Sequence, residues 1–150
     1  MTTSLQILVD RYRLPISSEL VQLLEKALIG HTPDRGQDRA IAVTFCFRDP
    51  NYSAESGGYH PVEIRLQLEH SEKRCVGRFD YITDFSFVGI GQDAELTKEI
   101  DFDFSAGVCS VIYSGYFSLN KAAEFYQLWQ QNFTDYHAMG VFDVTVTLEH

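Results

Sequence analysis

Lysine and arginine nearly vanish from the second half of this chain. After Arg78 there is no arginine, and only Lys98 and Lys121 stand against eleven aspartates and glutamates in residues 79–150. The first 78 residues balance ten acids with ten bases, so the formal net charge of −9 belongs entirely to the second half. No basic patch is available to release phosphate counterions, which disfavours direct nucleic-acid binding. Long apolar runs are also missing, and none approaches membrane-spanning length. The opening MTTSLQILVDRYR places Arg11 and Arg13 after its apolar residues, the reverse of a secretory leader. Cysteine is limited to Cys46, Cys75 and Cys109, an odd number lying in apolar, strand-like segments. That pattern predicts buried, reduced thiols and a cytoplasmic protein, with no disulfide framework. Without secretion, the acceptor patterns at Asn51 and Asn132 carry no meaning.

Chemical motifs are scarce too. His31, His60, His70 and His137 are scattered without i, i+2 or i, i+4 partners, and there is no Cys-x-x-Cys, so spacing along the chain predicts no metal site. Neither SGG at 56–58 nor YSGY at 113–116 forms a nucleophile elbow. GIGQDA at 89–94 has the glycine spacing of a dinucleotide loop. Only ELTKE separates it from the next strand, too short for a crossover helix, so it is read as a hairpin loop and no cofactor is expected. The final Leu148, Glu149 and His150 resemble the start of a vector-encoded histidine tag.

What is present suffices for one domain. The chain has 150 residues, 45% of them hydrophobic and 13% aromatic, and about two-thirds of the unfolded surface of such a chain is buried on folding. Residues 5–12 fit either a helix or a strand. Ser17 or Ser18 can cap a helix over 18–29 that carries an apolar stripe and ends at Gly30. Alternation then marks strands: Ile41 to Arg48, Val62 to Glu69, Cys75 to Tyr81 with a possible extension to Val88, Glu99 to Phe104, and a single strand over VCSVIYSGYF after Gly107. A second helix is predicted over 119–138 with Ser118 as cap and Gly140 at its end. A last strand then turns Phe142, Val144 and Val146 inward. One-sided alternation in nearly every strand argues for α+β architecture: a single antiparallel sheet of about six strands with two helices packed on one face.

Two places stand out as candidate sites. The loop DPNYSAESGG, residues 49–58, is longer than a hairpin needs and ends at Tyr59, His60 and Pro61. An imidazole and a phenol at a loop root suit ligand recognition. Glu63 joins them only if the chain bends, because His60 and Glu63 have opposite parity in an extended strand. The second is the acidic strand, whose alternation puts Glu99, Asp101 and Asp103 on a single face. Tyr113 and Tyr116 are further candidates for lining a groove that takes a sugar or a cation.

The segment YHPVEIRL, Tyr59 to Leu66, followed by an acidic β-rich half and a terminal helix and strand, resembles a family of small uncharacterised bacterial proteins, a domain of unknown function. The resemblance implies a bacterial cytoplasmic protein and transfers no functional residues. The charge asymmetry points to a non-enzymatic protein that contacts a basic macromolecular partner through its acidic second half. The alternative is a small-ligand binder or enzyme with its site at the 49–61 loop root beside an aromatic cleft. Homodimerisation through an exposed edge strand fits either.

Overall fold

The computed structural model describes residues 4–9, 13–31 and 39–150. The chain runs through β1 (Ser4–Ile7), α1 (Ser18–His31), β2 (Ala42–Arg48), β3 (Val62–His70), β4 (Arg74–Val88), β5 (Glu95–Asp103), β6 (Val108–Val111), β7 (Gly115–Ser118), α2 (Ala123–Ala138) and β8 (Asp143–Glu149). These strands form an eight-stranded sheet rather than one of about six, in the order β7-β6-β5-β4-β3-β2-β8. All neighbours along that path are antiparallel. The eighth strand, β1, pairs with β4 in parallel.

The two additional strands have distinct origins. β1 resolves the ambiguity at 5–12 in favour of a strand, although residues 10–12 lie outside the described residues. VCSVIYSGYF is two strands rather than one. It is broken at Tyr113, which adopts φ 64°, a left-handed conformation that costs a tyrosine energy. Gly115 follows with φ 94°, and β7 folds back on β6 as a four-residue edge whose residues are all exposed.

Alternation places Val43, Phe45, Phe47, Val62, Ile64, Leu66, Ile82 and Phe102 on the covered face, all buried. α2 packs there through Tyr126, Trp129 and Phe133. The Phe102 ring meets Tyr126 edge-on at 5.0 Å, and Phe47 meets Phe133 the same way at 5.0 Å. Each such fully buried ring contributes about 1.5–3 kcal/mol of transfer free energy. α1 lies on the same side, against α2 and β8. Ser17 Oγ accepts the Leu20 amide at 3.1 Å and caps α1. Gly30 does not end this helix, which continues through His31, whose Nδ1 lies 2.8 Å from the Ala27 carbonyl oxygen. Buried Gln130 ties the two helices together: its Oε1 accepts from the Ser17 amide and the Tyr126 hydroxyl, and its Nε2 donates to the Pro15 carbonyl. α2 starts later than the sequence predicts, because Ser118 turns the chain first, its carbonyl taking the Lys121 and Ala122 amides. Cys75 and Cys109 are buried and Cys46 is half-buried. Burial pushes the Cys109 thiol up to about 11. No helix among the described residues is long and apolar enough to cross a membrane.

Candidate functional site

The loop at 49–58 is built by its own hydrogen bonds. The Asp49 carboxylate accepts the amides of Asn51 (2.9 Å) and Tyr59 (3.1 Å), and Ser53 and Gly57 exchange backbone bonds. Gly58 is required for the closure. It has φ 135°, and a Cβ there would stand 2.8 Å from Asp49 Oδ2 and 3.0 Å from Tyr52 Cα. The Tyr52 ring stacks on Phe87 at 5.2 Å, its hydroxyl accepts the Phe87 amide, and the His60 ring lies 5.6 Å away. Pro61 cannot donate to the sheet, but its carbonyl accepts the Phe85 amide, which holds the loop root against β4.

β4 and β5 supply the partners of His60 through a bulge. Asp84 pairs with Ile100 and Phe85 with Lys98, which leaves Glu99 as an extra residue on β5. A bulge re-aims the side chain it adds. Glu99 therefore leaves the row expected of it with Asp101 and Asp103, and its Oε2 stands 3.1 Å from His60 Nδ1. Asp84 Oδ1 meets the same nitrogen at 2.8 Å. The Asp84 carboxylate is nearly buried, and its Oδ2 accepts the Trp129 indole N–H at 2.9 Å. The hydroxyl of Ser86 donates to Glu99 Oε1 at 3.3 Å. The hydrogen bond to Asp84 raises the His60 pKa above its ordinary value; the charges of Asp84 and Glu99 add to this, while partial burial opposes it. With Nδ1 committed, Nε2 has no hydrogen-bond partner among the described residues.

His60, Asp84 and Tyr59 line a cleft of about 340 Å³ walled by Trp129, Phe133, Tyr136 and Phe142, with Asn132 at its edge. Tyr59 packs on Tyr136 with ring centres 4.6 Å apart. The loop root and the aromatic cleft expected from the sequence are thus brought together. Glu63 is not part of them: it lies on the open face, where it accepts the Tyr81 hydroxyl at 2.5 Å. Burial, together with the Glu63 carboxylate, pushes the Tyr81 phenol above its ordinary value. Asp101 accepts the Thr83 hydroxyl at 2.6 Å, and Asp103 accepts the Ala106 amide at 2.9 Å. Tyr113 and Tyr116 are not among the residues that line the neighbouring apolar cleft. They project into solvent, 88% and 82% exposed, beside an apolar cleft lined by Cys109, Phe117 and Phe125. Reasoning along the chain missed Asp84 and Trp129. His60, Asp84 and Glu99 sit on three segments, and their ligand atoms all lie within 4.8 Å of one another.

A family model described as protein of unknown function, DUF2787, matches residues 18–147. The chain belongs to this family. Among solved structures it is similar to a hypothetical protein from the VSP-II pathogenicity island of Vibrio cholerae, at 32% identity and TM-score 0.82. The match covers 96% of this chain and 100% of that one. A second similar structure is a conserved hypothetical protein from the VPI-2 island of the same species, at 36% identity and TM-score 0.75, over 95% of this chain and 100% of that one. It is described as sharing structural homology with the human P32 protein. No curated protein matches the chain. The DUF2787 relatives bear out the resemblance to uncharacterised bacterial proteins and assign no activity to it.

Proposed function

We propose that this DUF2787 protein binds a small ligand in the cleft between the 49–61 loop root, the bulged stretch of β4 and α2. One observation carries the reading: His60 is fixed by two carboxylates, one of them anchored on Trp129, and so presents an imidazole with an uncommitted nitrogen at an aromatic-walled cleft. Pre-organised polar groups converging on an apolar cavity are the usual form of a small-molecule site, and the volume falls at the lower end of the usual range of about 300–1,000 Å³. The favoured ligand is a small ring that stacks on Tyr59 or Tyr136 and exchanges hydrogen bonds with His60 and the Asn132 amide. Binding is favoured over nucleophilic catalysis because no serine, threonine or cysteine lines the cleft beside the His60–Asp84 pair.

The test is a thermal-shift screen of small polar ring compounds against the wild type and the Tyr59→Phe, His60→Ala double variant. A compound that stabilises the wild type and loses its effect in the double variant supports the reading. A panel without hits, or a hit indifferent to the double change, sinks it. The alternative is a contact surface for a basic macromolecule, and it rests on the charge asymmetry of residues 79–150. Its support is weaker at the strand first suggested, because Glu99, Asp101 and Asp103 are each engaged within the protein. A partner captured at low salt and released at high salt would favour it. A second copy pairing along β7 fits either reading, and sedimentation at two concentrations tests it.

A further inference from the structure

We propose that His60, Asp84 and Glu99 form a binding site for a divalent first-row transition metal ion, between Mn²⁺ and Zn²⁺ in the series. The donors fit such an ion in spacing. At a metal–ligand distance of about 2.1 Å, adjacent positions of an octahedron lie about 3.0 Å apart. Nδ1 stands 2.8 Å from Asp84 Oδ1 and 3.1 Å from Glu99 Oε2, so small rotations of the three side chains admit the ion. The donors also fit in kind. One imidazole and two carboxylates suit ions of intermediate hardness and disfavour Ca²⁺, which takes six to eight oxygens.

Charge points the same way. No lysine or arginine among the described residues forms an ion pair with Asp84 or Glu99. Two carboxylates therefore face one imidazole, whose single positive charge, when present, leaves a residue of −1. A dication on the neutral ring brings the cluster to zero, and Asp84 is nearly buried, where residual charge is most costly. Each carboxylate also has its second oxygen held by a neutral donor from outside the triad, the Trp129 indole for Asp84 and the Ser86 hydroxyl for Glu99. Outer contacts of this kind orient metal-binding carboxylates. The remaining coordination positions would open on the aromatic cleft, where water or a ligand atom can fill them.

The test needs no organic ligand, so it stands or falls apart from the cleft reading. Trp129 is the sole tryptophan, so its indole N–H is a single resolved NMR signal one hydrogen bond from the proposed ion. Titration of the chelator-treated full chain with MnCl₂ is expected to broaden that signal below one equivalent. Calorimetry with ZnCl₂ is expected to show one site, weakened at least about tenfold in Glu99→Gln and in His60→Ala and unchanged in Asp101→Asn. MgCl₂ and CaCl₂ are expected to bind more weakly than either. An indole signal indifferent to equimolar Mn²⁺ overturns the proposal. So does Zn²⁺ binding that survives both variants, or that falls equally in Asp101→Asn, since either places the ion elsewhere on an acidic surface.

Discussion

Asp80 and Asp84 stand one short step apart on β4, and each belongs to a cluster of one base and two carboxylates. On the open face, Arg65 reaches Asp80 at 2.5 Å and Glu149 at 2.7 Å. On the covered face, His60 reaches Asp84 at 2.8 Å and Glu99 at 3.1 Å. Both use a bulge: Asp80 is the extra residue of β4 between the Tyr81–Arg65 and Phe79–Leu66 pairs, as Glu99 is on β5. The composition matches but the chemistry differs. Arginine never gives up its proton and offers five donors, so its cluster works as a permanent clamp between strands. Histidine exchanges its proton near neutrality and keeps a second nitrogen, and its cluster borders a cleft. An arginine at position 60 would make a second clamp; a histidine there leaves one ring nitrogen uncommitted beside the cleft.

The largest separation between the clusters is expected on removing their aspartates. Asp84→Ala deprives the buried Trp129 indole N–H of its acceptor and His60 of the nearer of its two carboxylates, and about 3 kcal/mol of stability should be lost in urea unfolding. Asp80→Ala leaves the partly buried Arg65 still paired with Glu149 and should cost less, about 1 kcal/mol. Equal losses would break the comparison. Next comes Gly58→Ala, which strains the loop that carries His60 and should cost about 2 kcal/mol. It should shift the His60 ring signals and leave the Arg65 guanidinium unmoved.

A pH series sharpens the contrast further. The folded-state pKa of His60 is raised, so its stabilising contribution is complete below the unfolded value of about 6.5 and fades as pH climbs through the folded value. The stability gap between wild type and His60→Gln should therefore be wider at pH 5.5 than at pH 8.5. The gap for Arg65→Gln should stay level, and parallel behaviour of the two would remove the distinction. The smallest effect is expected for Tyr81→Phe, which deletes the hydroxyl bonded to Glu63 on the open face. A loss of about 1 kcal/mol is expected, with Zn²⁺ binding unchanged.

Much of this frame was legible in the residues. Val62 to Leu68 and Phe102 to Phe104 alternate as half-buried strands must, and Phe125 to Phe133 mark a helix with one apolar face. The same regularity hid the candidate site. Parity assigns Glu99 to the side of Asp101 and Asp103, and one extra residue reverses it; nothing in ELTKEID announces that insertion. Asp84 sits in a strand otherwise rich in apolar and aromatic residues, and only the register of β4 brings it to a histidine 24 positions earlier. Trp129 reads as core, which it is, while its nitrogen does separate work. The break at Tyr113 was equally invisible, because a tyrosine at positive φ is held by its surroundings and not by its own preference.

The parallel pairing of β1 bears on the timing of assembly. Leu5 is matched with Cys75, and Leu8 donates its amide to the Gly77 carbonyl, so β1 leaves the ribosome without this neighbour until some seventy more residues have followed. At a synthesis rate of about 5–20 residues per second, that strand waits several seconds with its backbone unpaired. Closing so long a segment comes late in folding. Until it does, the edge of β4 at Arg74–Gly77 stays open to any passing strand, which makes the nascent chain, more than the finished protein, the form in most need of a chaperone.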